Sequence, residues 1–175
     1  AAALEDALAA PAGARAEVGG VLVECFARLR PCVRELSAAL RERGVEVWIV
    51  SASAEPLVQE AARRYDLPQA RVIGARTRMA GDVHRAGLAP LDASVDELVM
   101  TFDVGKRAWI NKVIYGVEGH AALESHPDAR CRPVLAMGDS DTDHAMLADA
   151  DRRVLFDRGE PRVSASADEA PDTWW

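Results

Sequence analysis

Two short apolar runs constrain this chain more than anything else in it. Val45-Glu46-Val47-Trp48-Ile49-Val50 and Pro133-Val134-Leu135-Ala136-Met137 are β-rich or apolar and bounded by turn-forming residues, the pattern of buried strands. Helical spacing brackets both. Before the first run, Pro31 suits a first helical turn, Val33, Leu36 and Leu40 recur at helical intervals, and Gly44 supplies a left-handed stop. After it, Ser51-Ala52-Ser53 leads into a helix expected from Ala54 to Tyr65, with Ser53 as N-cap and Pro56 in the tolerant first turn. A short strand is expected from Arg71 to Gly74, a helix from Gly105 to Tyr115 with Gly116 after it, a helix from Thr142 to Ala150 and a last strand from Arg153 to Phe156. Helix and strand in alternation with short connections give an α/β fold, a parallel sheet covered by helices. Chemistry in such a sheet sits beyond the carboxyl ends of its strands.

The remaining segments are less regular. Residues 1–16 are Ala-rich and read as helical pieces broken at Pro11 and Gly13, while Val18 to Leu29 fits both helical and strand periods. Residues 75–103 are polar, with Gly81 and Gly87 as breakers, and read as a hairpin or loop insertion. Residues 159–175 carry no periodic core signal and are expected to form a loose tail. Its terminal Trp174 and Trp175 either pack back on the body or mark a partner contact.

Composition removes several function classes. At 175 residues and 49% hydrophobic the chain is long and apolar enough to bury a core, and too apolar for disorder. No apolar run approaches the roughly 20 residues of a membrane span, so no membrane partner is expected. A net charge of −7 argues against a nucleic-acid partner held by phosphate neutralisation. Cys25, Cys32 and Cys131 are odd in number and widely spaced, which reads as free thiols in a reducing, cytoplasmic setting. Residues 1–10 lack the basic start and apolar core of a signal peptide. Lysine occurs only at Lys106 and Lys112, every other cation being arginine, so each lysine stands out as a compact point charge.

Two strand ends carry unusual chemistry. Gly138-Asp139-Ser140-Asp141-Thr142-Asp143 places three carboxylates in five residues on one turn. A hard divalent cation, Mg²⁺ above all, would relieve their repulsion. Ser140-x-x-Asp143 equally matches a helix capping box, and both readings hold together if Asp139 faces the crevice. Ser51 is an ordinary turn or cap residue taken alone, although its hydroxyl and the following backbone N–H groups suit a phosphate. Lys106 taken alone is an exposed surface lysine, and His144 beside Asp143 is a helix-surface residue. No P-loop, G-x-G-x-x-G, H-E-x-x-H or G-x-S-x-G occurs.

In combination these features are far more specific. Val50-Ser51-Ala52-Ser53, then Gly105-Lys106 opening a helix, then Gly138-Asp139-Ser140 with Asp143, in this order, resemble the haloacid dehalogenase-like hydrolase superfamily from about Pro31 to Arg158. Val47 to Ser53 with Val72-Ile73-Gly74, and Ala136 to Asp143 with Met146-Leu147, are similar to its phosphoserine and phosphorylcholine phosphatase branch. The resemblance implies a three-layer Rossmann-like core and a Mg²⁺-dependent phosphomonoester hydrolase that acts on a small phosphorylated metabolite through an aspartyl-phosphate. It implies that Ser51 and Ala52 bind phosphate, that Lys106 offsets charge on nucleophile and phosphoryl group, that Asp139 ligates Mg²⁺, and that Asp143 supports the metal shell or orients Lys106.

One piece is missing. The family's Asp-x-Asp-x-Thr/Ser motif should precede Ser51 at the end of a central strand, yet Asp6 is the only Asp before it. The core is therefore expected to be incomplete, with 1–27 as the remnant of a helical cap, 28–158 as the core and 159–175 as the tail. Either a missing N-terminal segment of the same protein carries the nucleophile strand, with which the lack of an initiator Met agrees, or the chain is a complete but degenerate relative. In the second case it is a non-catalytic metal-, phosphate- or partner-binding module. The absent strand belongs between the strands ending at Ser51 and Gly138, so two inner edges should lack a partner.

Overall fold

The computed structural model describes residues 2–28, 30–68, 71–95 and 97–173, so Trp174 and Trp175 lie outside the described residues. Two compact units emerge. The first comprises the chain up to Ile49 together with Glu55–Val72; the second comprises Val50–Ala54 and the chain from Ile73 onward.

The first unit holds α1 (Ala2–Ala9), a hairpin of β1 (Arg15–Val18) and β2 (Val21–Glu24), α2 (Pro31–Glu42) and α3 (Glu55–Arg64). The segment expected as broken helical pieces is thus a helix followed by an antiparallel hairpin. Gly19 and Gly20 both take positive φ (60° and 81°), which suits a two-residue turn between strands, and Val18 pairs with Val21 across it. Helix α2 starts at Pro31 and stops as its sequence signals. Gly44 at φ 77° donates its N–H to the Arg41 carbonyl and Val45 donates to the Leu40 carbonyl, a Schellman end. The unit's core is Val58, Ala62, Leu67 and Val72, with Val47, Ile49 and Tyr65 packed against it.

In the second unit β3 (Ile49–Ala54) pairs with β4 (Val72–Ala75), both strands entering from the first unit at their first residue. Residues 77–88 form the expected hairpin, β5 (Thr77–Ala80) antiparallel to β6 (Val83–Leu88). Then come α4 (Val104–Tyr115), β7 (Leu135–Gly138), α5 (His144–Asp149), β8 (Arg152–Leu155) and α6 (Pro161–Glu169). Strands β7 and β8 are parallel, from Leu135 opposite Arg152 to Gly138 opposite Leu155.

Three expectations need correction. The fold is mixed α/β, but instead of one parallel sheet the described residues form small two-stranded sheets, with β3–β4 separate from β7–β8. The strand expected over 45–50 runs over Ile49–Ala54, because the Val45 amide is spent on the α2 cap and Val47 packs on the Val58 cluster. Ser51 and Ala52 therefore lie within a strand, not beyond its end, and Ser53 is no N-cap. Residues 161–169 are not loose but helical, with Pro161 in the first turn and Val163 fully buried.

Candidate active site around Lys106 and Asp143

Lys106 sits in the first turn of α4, and the chain approaches it through a tight loop. Asp103 takes φ 46°, rare for a non-glycine residue, and its N–H donates to the Thr142 carbonyl at 2.8 Å. A Cβ on Gly105 would stand 1.6 Å from the Met100 carbonyl oxygen, so only glycine fits that approach. The indole N–H of Trp109 donates to the Val99 carbonyl at 2.8 Å and ties the loop to the helix. Helix α4 is buried through Gly105, Lys106, Ala108, Trp109, Ile110 and Asn111. Lys106 is only 5% exposed, so it is not the ordinary surface lysine of its type.

The charge of Lys106 is met by Asp143, itself 6% exposed. Lys106 Nζ donates to Asp143 Oδ1. Asp143 Oδ2 accepts from the Asp139 N–H at 3.0 Å and from the Ser140 N–H and Oγ, each at 3.3 Å. Ser140 and Asp143 form the capping box that the sequence suggests, around a 3-10 turn at Asp141–Asp143 leading into α5. One carboxylate thus closes the β7 turn and neutralises a buried cation. Nearby, Arg107 clamps Asp149 with Nε at 2.6 Å and Nη2 at 2.9 Å, fastening α4 to α5.

Gly138 is pinned by the same carboxylate. A Cβ there would lie 2.6 Å from Asp143 Cβ and 2.8 Å from its Oδ2. Gly138→Ala is expected to push the Asp143 side chain off Lys106 and to cost about 1–3 kcal/mol, the usual scale of overpacking. Urea denaturation measures it; a change under half a kcal/mol would mean that Asp143 moves aside freely.

The three clustered carboxylates find separate partners, which removes the repulsion that made a cation attractive. Asp143 has Lys106. Asp141 Oδ1 accepts from the backbone N–H groups of Arg162 and Val163 at 3.1 and 3.0 Å, capping α6. Asp139 Oδ2 faces Arg158 Nη1 at 3.4 Å and keeps a 39% exposed side chain. Both oxygens of Asp143 are engaged, Oδ1 by Lys106 and Oδ2 by the turn it caps. Asp139 is the one carboxylate of the turn held loosely enough to turn to a cation. Among the described residues no group of three His, Cys, Asp or Glu could hold a metal ion. The donor set therefore does not by itself fit Mg²⁺, which asks for near-octahedral oxygen ligation.

Ser51 stands apart from this cluster in its bonding. Its Oγ accepts from the Ser53 N–H at 3.1 Å, and among the described residues no hydrogen bond or ion pair joins it to Lys106 or to the 138–143 turn. Ala52 is exposed. The structure thus brings together Lys106, Asp139 and Asp143 and leaves Ser51 and Ala52 outside their network.

Sequence reasoning passed over Asp103 and Arg162. Asp103 Oδ1 accepts from the Ala145 N–H at 3.1 Å and its Oδ2 pairs with Arg162 Nη1 at 2.6 Å. The only local signal is an Asp just before the helix that carries Lys106. Arg162 has no local signal, since its partner is 59 residues away.

His144 opens α5, with Nε2 3.1 Å from Ser166 Oγ. Burial first, and then the Arg162 cation, push its imidazole below the usual range; Arg107 adds a little, while Asp103 and Asp141 oppose. The folded pKa is depressed, so the unfolded chain takes up this proton first. The stabilising contribution is whole above the unfolded value, about 6.5, and is lost as pH falls through the folded value. The Tm should fall from about pH 7 to about pH 5, and His144→Gln should flatten that fall. Equal slopes in both proteins would assign the dependence elsewhere.

A model of the haloacid dehalogenase-like hydrolase family matches residues 2–148. The chain belongs to that family. Among solved structures it is similar to a conserved functionally unknown protein from Anaerococcus prevotii DSM 20548. That match has a TM-score of 0.62 at 20% identity and covers 89% of this chain and 39% of that one. It is also similar to a phosphoserine phosphohydrolase-like protein from Francisella tularensis subsp. tularensis SCHU S4, with TM-score 0.48, 18% identity, and 73% and 50% coverage. The chain therefore spans less than two thirds of the length of either. The first likeness shows the fold. No curated protein matches the chain. Among the described residues no helix is long and apolar enough to cross a membrane.

Proposed function

We propose that this chain carries the lysine-and-aspartate part of a phosphomonoester hydrolase, of the phosphoserine and phosphorylcholine phosphatase-like branch, that acts on a small phosphorylated metabolite. The buried Lys106–Asp143 pair carries the proposal. Burying an ammonium is costly, and a buried pair adds little net stability over an apolar pair of similar volume. A fixed cation at the start of a helix, held by a carboxylate that closes the neighbouring strand turn, suits charge stabilisation in phosphoryl transfer. In the reaction implied by the family, the phosphoryl group passes from the ester oxygen to an aspartate carboxylate and then to water. Lys106 would offset the charge of that carboxylate and of the phosphoryl oxygens, with Asp143 holding its ammonium in place. Ser51 would donate its hydroxyl hydrogen to a phosphoryl oxygen while its oxygen accepts from the Ser53 amide, and the Ala52 backbone N–H would add a second donor. Mg²⁺ would supply further charge neutralisation, held by Asp139 together with oxygen ligands from elsewhere in the protein, because the described residues do not complete a site.

No Asp-x-Asp motif precedes Ser51, so the phosphatase reading requires a nucleophile from outside these 175 residues. The separation of β3–β4 from β7–β8 supports a central strand carrying that motif and completing a three-layer core. A reducing, cytoplasmic setting fits the free thiols of Cys25, Cys32 and Cys131. A second reading, a non-catalytic phosphate-, metal- or partner-binding module, is favoured by the pairing of every carboxylate of the 139–143 turn within the chain.

Hydrolysis of p-nitrophenyl phosphate with Mg²⁺ separates the two readings, measured on this chain and on the whole reading frame that contains it. Turnover in the whole frame and none in the chain alone is expected. Turnover in neither, with the chain folded in both, would support the non-catalytic module.

A further inference from the structure

Residues 158–169 contact the acidic turn at several independent points. Arg158 faces Asp139 at 3.4 Å. The Arg162 and Val163 amides meet Asp141 at 3.1 and 3.0 Å. The Arg162 guanidinium pairs with Asp103 at 2.6 Å, and Ser166 Oγ lies 3.1 Å from His144 Nε2. Val163 anchors the segment by full burial.

Asp103 is the point where these contacts reach the site. Its backbone N–H holds the Thr142 carbonyl, beside Asp143, and its Oδ1 holds the Ala145 amide at the start of α5. It lies three residues before Lys106 in a backbone conformation that costs about 1–3 kcal/mol and persists only where its surroundings enforce it. The Lys106 N–H donates to the Asp103 carbonyl at 2.9 Å. One residue therefore couples the segment carrying Lys106 to the segment carrying Asp143, and the cation of Arg162 neutralises it.

We infer that residues 158–169 form a clasp that positions Lys106 against Asp143, and that Arg162, acting through Asp103, is a positioning residue. The catalytic meaning of this clasp rests on the phosphatase reading. The clasp itself does not, because it can be read at the Lys106 amine directly. Among the described residues no hydrogen bond or ion pair joins Arg162 to Lys106 or Asp143, so its removal tests transmission and not a lost polar contact with the pair.

The scarcity of lysine makes the test direct. Acetylation by the N-hydroxysuccinimide ester of acetic acid, followed by peptide mass spectrometry, reports Lys106 with Lys112 as internal reference. In the native chain Lys106 should react far more slowly than Lys112, which is about one-third exposed at its side chain. Arg162→Ala should raise the Lys106-to-Lys112 rate ratio about tenfold, as expected for loss of a charge-assisted contact worth about 1.4 kcal/mol. Arg162→Lys should recover part of the protection. A Lys106-to-Lys112 ratio left unchanged in Arg162→Ala, with the Lys112 rate itself also unchanged, would overturn the proposal. If Arg162→Ala raises both rates together, the unit has unfolded, and Ser166→Ala becomes the deciding variant. A selective rise at Lys106 then supports the clasp, and no rise overturns it. Phosphatase assays would not alter this result, so failure of the clasp and failure of the enzymatic reading remain distinguishable.

Discussion

Gly105→Ala is expected to destabilise the second unit by about 4 kcal/mol or more, the range reserved for severe steric conflicts. The added Cβ would lie 1.6 Å from the Met100 carbonyl oxygen and 2.8 Å from its carbon. Neither atom belongs to a side chain that can swing away. That carbonyl also accepts the Phe102 N–H at 2.8 Å, and the Gly105 N–H is tied to the Phe102 carbonyl at 2.8 Å. Relief would have to unwind the loop that delivers Lys106 to its partner. Gly116→Ala is the matched control, because Gly116 has φ 70° but open space around it. There the cost should be the conformational term alone, about 1–2 kcal/mol. Urea denaturation of both variants gives the comparison, and equal losses would mean that the 99–105 loop is looser than its geometry indicates.

The second large effect is expected from Asp143→Ala. The substitution strands the Lys106 ammonium in a site where it is 5% exposed and removes the acceptor for the Asp139 and Ser140 amides. Breaking one side of a buried ion pair costs about 3–5 kcal/mol. Removing both charges should be milder. Lys106→Met with Asp143→Leu is expected to recover at least half of that loss, because the desolvation penalty goes with the charges. A double variant as unstable as Asp143→Ala would show that the penalty comes from the broken turn and not from the stranded cation.

What could be read from sequence divides along physical lines. Helix α4 could be read because its signals are local: apolar spacing, a glycine after its end, and a loop glycine beside Lys106. The α2 stop at Gly44 was equally plain. The first strand was misplaced, because a buried loop that packs Val47 on a core has the same apolar pattern as a strand. The hairpin at Gly19-Gly20 carried a turn signal weaker than the competing helical pattern around it. Lys106 and Asp143 were singled out by a motif order that no single residue would have justified. The partners of the carboxylates of the 139–143 turn were less legible, since they are not neighbours in sequence. Asp139 and Asp141 meet residues 19 to 22 positions downstream, in a segment with one buried apolar side chain to mark it. An acidic cluster seen in sequence shows a charge to be balanced; only tertiary structure shows whether a cation, an arginine or a helix end balances it.

The central claim is that Lys106 is a working charge and not a structural accident. Its most direct test is single-turnover hydrolysis of p-nitrophenyl phosphate by the whole reading frame that contains this chain, with Mg²⁺, comparing native protein with Lys106→Met. Loss of a preorganised cation at the reacting group predicts a rate lower by about 10²–10³-fold. A Lys106→Met protein that remains folded and turns over at the native rate would contradict the account.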